Sequence, residues 1–210
     1  MGTKTVVKRV GNKRGFGGEL RTEILEAAER LLSSQASSEA VTLRAIAREA
    51  GIAAPSIYPH FPDRDAILDV VVGRAFDRLA ELCATAAESA PAGIKAVQAM
   101  SVAYVRFARE HPGQYRILFE RSSSNISSPP RPYREGIRAF DVLVQTLRST
   151  ETAQGVSNLE LIRDAQTLFA ALHGIAVLRP ALPGFPWQDE GTLIENAVAH
   201  VCDTPQSGPR

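Results

Sequence analysis

The sequence is poor in cysteine, methionine and tryptophan: its 210 residues hold two, two and one of them, and aromatic residues make up only 6%. Cys83 and Cys202 stand far apart and both fall in helical patterns. They offer neither a disulfide framework nor a thiolate metal site, and read as small buried apolar residues in a reducing compartment. The four histidines, His60, His111, His173 and His200, are scattered without metal-ligand spacing. No nucleophile elbow, metal-ligand cluster or nucleotide loop is present. The glycines of Arg14-Gly15-Phe16-Gly17-Gly18 follow no strand and lead to no Gly-Lys-Ser/Thr, so they do not cradle a phosphate. An enzyme reading therefore has little to rest on, and no metal or cofactor is expected. A strong charge of one sign is missing too, the formal net charge being +1. No apolar run approaches the length of a membrane span, and none accompanies the N-terminal charges as a signal peptide would require. A cytoplasmic protein with no membrane partner is the expectation. No convincing strand and no internal repeat is found.

Helical periodicity is abundant. With 44% hydrophobic and 22% charged residues, the chain can bury a sizeable core. A first helix is predicted over 18–34, with Leu20, Ile24, Ala27, Ala28 and Leu31 inward, and the Ser-rich stretch 33–38 ends it. Two short helices follow across 42–61. Asp63 then caps a long helix reaching about Ser89. Pro91 opens another, His111-Pro112 starts a short one, and 122–132, rich in serine and proline, reads as a mobile loop. Further helices are predicted at about 132–149, 157–179 and 189–202, the second of them opened by a Ser157/Glu160 capping box.

The stretch 42–65 is the most specific in the chain. Thr42 has the chemistry of an N-cap. Leu43, Ile46, Ala47 and Ala50 recur at helical spacing as one apolar face, leaving Arg44, Arg48 and Glu49 outside. Gly51 sits where the chain must turn. Ile52 and Ile57 can hold a second short helix on the first. Ala54, Pro55, Ser56, Tyr58 and His60 stay outward, and small, hydroxyl and aromatic groups of this kind suit a major groove. The arrangement reads as a helix-turn-helix whose second helix contacts DNA. Tyr58 and His60 carry polar tips that fit phosphate oxygens, and Phe61 is assigned to packing. A scaffolding αα-hairpin with core aromatics is the plain alternative. Upstream, Lys4, Lys8, Arg9, Lys13 and Arg14 form a glycine-rich basic arm able to track phosphates, or else a solvated tail.

Residues 19–70 resemble the DNA-binding domain of the tetracycline-repressor (TetR) family of bacterial transcription regulators. Leu43, Ile46, Ala47, Ala50, Gly51, Ile57, Tyr58, His60, Phe61, Arg64 and Ile67 fill or conservatively replace the family's motif positions. Ala53 departs from the usual serine and weakens the cap of the second helix. Pro55 departs from glycine or alanine, so base contacts there are not carried over from the family. The resemblance implies an all-α chain: a basic arm (1–17), a three-helix DNA-binding domain (18–65), a helical effector-binding and dimerisation domain (66–202) and a tail (203–210). DNA contacts are expected from Lys13, Arg14, Thr42, Arg44, Ala54, Pro55, Ser56, Tyr58, His60 and Arg64.

The second half resembles a subgroup of the same family with His-Pro-x-x-Tyr-Arg and Trp-x-x-x-His-Gly segments. Here these are His111-Pro112-Gly113-Gln114-Tyr115-Arg116 and Phe169-Ala170-Ala171-Leu172-His173-Gly174, with Phe169 in the tryptophan's place. Met100, Tyr104, Phe107, Tyr115, Phe119, Phe140, Phe169 and His173 supply aromatic, sulfur and polar groups from several helices and suit an effector pocket; an ordinary core suits them as well. Gly174 is expected to let a neighbouring helix come close beside His173. No Lys or Arg cluster is apparent among these positions, so a mostly apolar small molecule is expected. Leu161, Ala165, Leu168, Leu172 and Ile175, with Leu193, Ala197, Val198 and Val201 of the last helix, are expected to form a two-fold four-helix interface. A homodimer would read a palindromic operator and release it on binding the effector. The alternative is a DNA-binding regulator without a small-molecule ligand that acts through protein partners.

Overall fold

The computed structural model describes residues 17–34, 38–123, 134–150, 153 and 155–203. The arm with Lys13 and Arg14, most of the Ser/Pro-rich segment and residues 204–210 of the tail lie outside the described residues. Among those described the chain is all-α. The helices are α1 (Gly17–Ser34), α2 (Leu43–Ala50), α3 (Arg64–Glu88), α4 (Ile94–Glu110), α5 (Pro112–Ser123), α6 (Arg134–Arg148), α7 (Asn158–Ala181) and α8 (Glu190–Asp203), with 3-10 turns at Ser38–Ala40 and Ala54–Ile57. The chain divides into two compact units, Met1–Val70 and Val71–Arg210. The division falls inside α3, whereas the sequence placed it at the helix start.

Unit 1 is built around α1 packed on α2. Ile24, Leu25, Ala28 and Leu32 of α1 are buried, as are Ile46, Ala47, Ile57, Phe61 and Ile67 of the following elements. Phe61 is only 2% exposed, and the Arg21 guanidinium lies 4.8 Å from its ring centroid, which fits its assignment to packing. Asp63 caps α3 by accepting from the Ala66 amide at 2.8 Å.

Unit 2 centres on α4, which packs on α5, α6, α7 and α8. Val97, Met100, Tyr104 and Phe107 of α4 bury with Leu143 and Leu147 of α6 and Ile194, Val198 and Cys202 of α8. The capping box of α7 forms as the sequence suggests. The Glu160 amide donates to Ser157 Oγ, and the Ser157 amide donates back to the Glu160 carboxylate. The Ser157 hydroxyl, which donates to the Glu160 carboxylate at 2.7 Å, and then the Ser157 amide hold that carboxyl below its ordinary range. Both cysteines are buried free thiols, and burial pushes Cys83 up to about 12. One start differs from expectation: α4 begins at Ile94, not at Pro91. Gly93, at φ 85°, takes a backbone form that ordinary residues resist, and so ends the preceding turn there.

The structure corrects two readings of α7. Leu161, Ala165, Leu168, Leu172 and Ile175 face the interior of their own subunit, at 0–9% exposure, because α7 uses that stripe to pack on α4, α6 and α8. Val198 is also fully buried at home. None of these six can be surface offered to a partner, while Leu193, Ala197 and Val201 are half-buried. The second correction concerns length. α7 has 24 residues and is apolar enough to cross a membrane by length and composition. Its apolarity has two sources: the interior stripe just described, and an outer face that leaves Ala170, Val177 and Leu178 exposed.

Candidate functional sites

In unit 1 the turn between α2 and the second element follows from three residues. Thr42 is extended, and its hydroxyl accepts from the Ala45 amide at 3.2 Å. Gly51 adopts the left-handed conformation at φ 68°. The Gly51 amide donates to the Arg48 carbonyl and the Ile52 amide to that of Ala47, which satisfies the end of α2. A Cβ at Gly51 would meet nothing within 4 Å, so only the backbone conformation demands glycine. Gly51→Ala is expected to lower the stability of unit 1 by about 1–2 kcal/mol, the cost of left-handed backbone for an L-residue. Urea unfolding followed by circular dichroism checks this.

The second element is a 3-10 turn, Ala54–Ile57, and not the short α-helix expected. Ala53 makes no side-chain cap, as its departure from serine implies, and Pro59 removes an amide that an α-helix continued from Ala54 would use, while Pro55 lies in the first turn, where no such bond is lost. Further turns continue to Phe61, whose amide reaches the Ile57 carbonyl at 3.0 Å. Ile57 is the fully buried anchor. Around it Pro55 and Tyr58 are exposed, Tyr58 at 59%, and Ala54, Ser56 and His60 are half-buried. Thr42 and Arg44 are exposed nearby in sequence on α2 and its cap. Arg64 is engaged within its own unit. Its Nε donates to the Val41 carbonyl at 2.7 Å, and it pairs with Asp65 at 3.2 Å. It therefore braces the start of α3 against the entry to α2.

In unit 2 a cavity of about 660 Å³ opens among α4, α5, α7 and the start of α8. Of the eight candidate effector residues, Tyr115, Phe119 and His173 line it. Tyr104, Phe140 and Phe169 join these three in one aromatic cluster behind the wall. Phe119 meets the His173 ring edge-on at 4.5 Å, and Phe169 contacts Tyr104, Phe119, Phe140 and His173 at 6.1–6.3 Å. Met100 and Phe107, at 3% and 1% exposure, do not line the cavity and belong to the core. A chain of polar tips threads the cluster: Tyr104 and Tyr115 hydroxyls are 2.9 Å apart, and Tyr115 Oη is 2.8 Å from His173 Nδ1. When Tyr115 donates to Nδ1, the neutral ring carries its proton on Nε2.

The cavity also holds what the sequence reading missed. Arg109, Arg116, Arg179 and Glu190 line it, so the expectation of no arginine cluster is corrected. The signal was partly present in the sequence. Arg116 stands in the quoted motif beside Tyr115, and Pro112, Tyr115, Arg116 and Phe119 share one face of α5 at helical spacing. Arg109, Arg179 and Glu190 come from three other elements, which only the packing brings together. The reading of Gly174 is corrected as well: a Cβ there would meet nothing nearer than Leu178 Cδ1 of its own helix, at 4.0 Å. Among the described residues, no other helix of the subunit comes close.

Burial holds the His173 imidazole below its ordinary value of 6.5. His111 is lowered by burial and then by the Arg78 charge. Between each folded value and about 6.5 the unfolded chain holds more protons than the folded one. Stability is therefore full above that range and is lost as the pH falls through the folded values. Thermal unfolding is expected to show a midpoint that falls as the pH drops below about 6.5, part of which His173→Gln removes.

A capped helix, a glycine turn and an exposed second element in one unit, with a lined cavity in another, define the class of helix-turn-helix regulators with a separate helical domain. Residues 24–71 match the family described as bacterial regulatory proteins, tetR family. Residues 97–201 match the tetracyclin repressor-like C-terminal domain. The chain belongs to the TetR family of DNA-binding transcription regulators, which are not enzymes and are typically dimeric. Solved structures share the fold. A protein of unknown function from Rhodococcus sp. RHA1 is 25% identical, with a TM-score of 0.74 over 91% of this chain and 98% of that one. A TetR family transcription regulator from Marinobacter aquaeolei VT8 is 19% identical, with a TM-score of 0.64 over 91% and 97%. The MbdR regulator from Azoarcus sp. CIB is 17% identical, with a TM-score of 0.62 over 90% and 100%.

Proposed function

We propose that the protein is a cytoplasmic repressor that holds a palindromic operator as a homodimer and releases it when a small molecule fills the cavity of unit 2. The observation that carries this reading is the cavity itself, of about 660 Å³ and floored by Tyr115, Phe119 and His173. Its size suits a small-molecule site, and a regulator acting only through protein partners has no use for it. In unit 1, Ala54, Pro55 and Ser56 would face the major groove, and Tyr58, His60 and Arg44 would meet phosphates.

A second copy would cover the outer face of α7. Ala170, Gly174, Val177 and Ala181 recur there at helical spacing with the exposed Leu178 beside them, and the exposed apolar residues Leu182 and Phe185 continue it past the helix end. With no other described helix near Gly174, a partner helix can approach closely. Coupling to DNA would run through Phe119, which lines the cavity and packs edge-on against Phe76 of α3 at 6.4 Å. α3 is the helix along which the chain passes from unit 1 to unit 2. A ligand preferring a dimer whose reading elements no longer match one DNA turn would lower operator affinity.

The test is reciprocal. A compound that binds unit 2 lowers operator affinity by some factor, and operator lowers affinity for the compound by the same factor. Fluorescence anisotropy of labelled operator and calorimetry of the compound measure the two sides. A compound that binds in the cavity yet leaves operator affinity unchanged would count against the mechanism.

A further inference from the structure

Three guanidinium groups border the cavity, from Arg109 on α4, Arg116 on α5 and Arg179 on α7, and Glu190 is the single acid among the lining residues. Among the lining residues, then, positive groups outnumber negative ones three to one. The remaining lining is largely apolar, with Val105, Ala108, Phe119, Ala176 and Val177 prominent. A concave surface of low dielectric focuses such a charge surplus and attracts the opposite sign. The guanidinium fork also matches a carboxylate better than it matches any neutral group.

The arginines are held in different ways. Arg109 pairs with Glu190 at 2.8 Å, its side chain 62% exposed. Exposed pairs of this kind are weak, so Arg109 can turn from Glu190 to an incoming anion at small cost. Arg179 donates to the Gln188 carbonyl across the loop between α7 and α8. Arg116 sits deeper, its Nε buried in the wall. Three helices thus deliver cationic tips to the edge of one apolar space.

We infer that the effector is an organic anion, an apolar or aromatic body ending in a carboxylate whose head is held among Arg109, Arg116 and Arg179. This rests on the sensor reading above and narrows it to one chemical class. Cationic amphiphiles of the same shape are disfavoured by the same charges.

The experiment uses the full chain and matched probes below their aggregation limits: decanoate, 1-decanol and decylamine, then 4-phenylbutyrate and 4-phenylbutanol. Calorimetry is expected to show each carboxylate binding at least about tenfold tighter than its alcohol, as charge-assisted hydrogen bonds require, with the amine weakest. Arg116→Gln is expected to erase most of that preference while the alcohol binds as before. Should Arg116→Gln fail to fold by circular dichroism, Arg109→Gln, at an exposed side chain, is expected to reduce the preference several-fold. An alcohol or amine that binds as tightly as the carboxylate, or a preference unchanged in both variants, overturns the anion inference. If such a neutral compound also releases operator, the sensor reading stands without it. If none of the five probes binds, the anion inference falls. The sensor reading is then judged separately, by whether any member of a broader neutral panel binds unit 2 and shifts operator affinity.

Discussion

Ala170→Glu is expected to give a folded monomer that binds operator about 10²- to 10⁴-fold more weakly than the wild type, the advantage normally gained by joining two half-site contacts. Ala170 is exposed on the outer face of α7, so the glutamate meets water in the isolated subunit and leaves the core untouched. In a two-fold dimer each copy would bring the same charge to the same patch. An unpartnered charge buried there costs about 3–5 kcal/mol, enough to separate the subunits at micromolar concentration. Sedimentation equilibrium with circular dichroism reads the outcome. A folded variant that remains dimeric would remove this face of α7 from the interface.

Leu168→Ala is expected to behave in the opposite way, destabilising unit 2 by about 2–5 kcal/mol, the range for a buried leucine truncated in a packed core. Leu168 is 0% exposed and belongs to the interior stripe. Leu172→Glu, at 2% exposure, is expected to unfold the unit outright, not merely to split a dimer. Denaturant titration distinguishes these outcomes. A Leu168→Ala variant with unchanged midpoint and altered association would return that stripe to the interface.

The contrast between these two substitutions marks where the sequence was legible. Periodicity gave α7 the apolar stripe Leu161, Ala165, Leu168, Leu172 and Ile175, but not whether that stripe faces its own subunit or a partner. Leu161, Ala165, Leu168, Leu172 and Ile175 have the larger side chains and fill the core. Ala170, Gly174 and Ala181 are small, which is what a close helix–helix approach needs. Local chemistry was readable wherever a single residue decides: the Thr42 cap, the Gly51 turn, the Asp63 cap and the Ser157/Glu160 box all formed as their side chains imply. The 3-10 form of Ala54–Ile57 was signalled by Pro59, whose missing amide interrupts an α-helix there and which the sequence reading passed over. The aromatic cluster was largely found because its members share helical faces. The cavity's charges were not, since Arg109, Arg116, Arg179 and Glu190 lie on four different elements and meet only through tertiary packing.

Residues 42–60 are expected to read DNA in a two-fold arrangement. Selection of bound duplexes from a random-sequence library, followed by anisotropy titration of the enriched sequence, tests it most directly. An inverted repeat is expected, its half-sites centred about one helical turn, roughly 34–36 Å, apart or a multiple of that. Affinity for it should fall steeply with salt, and Tyr58→Ala should weaken binding to all sequences alike. A library that emerges without any enriched repeat, or a Tyr58→Ala variant that binds as tightly as the wild type, would contradict the account.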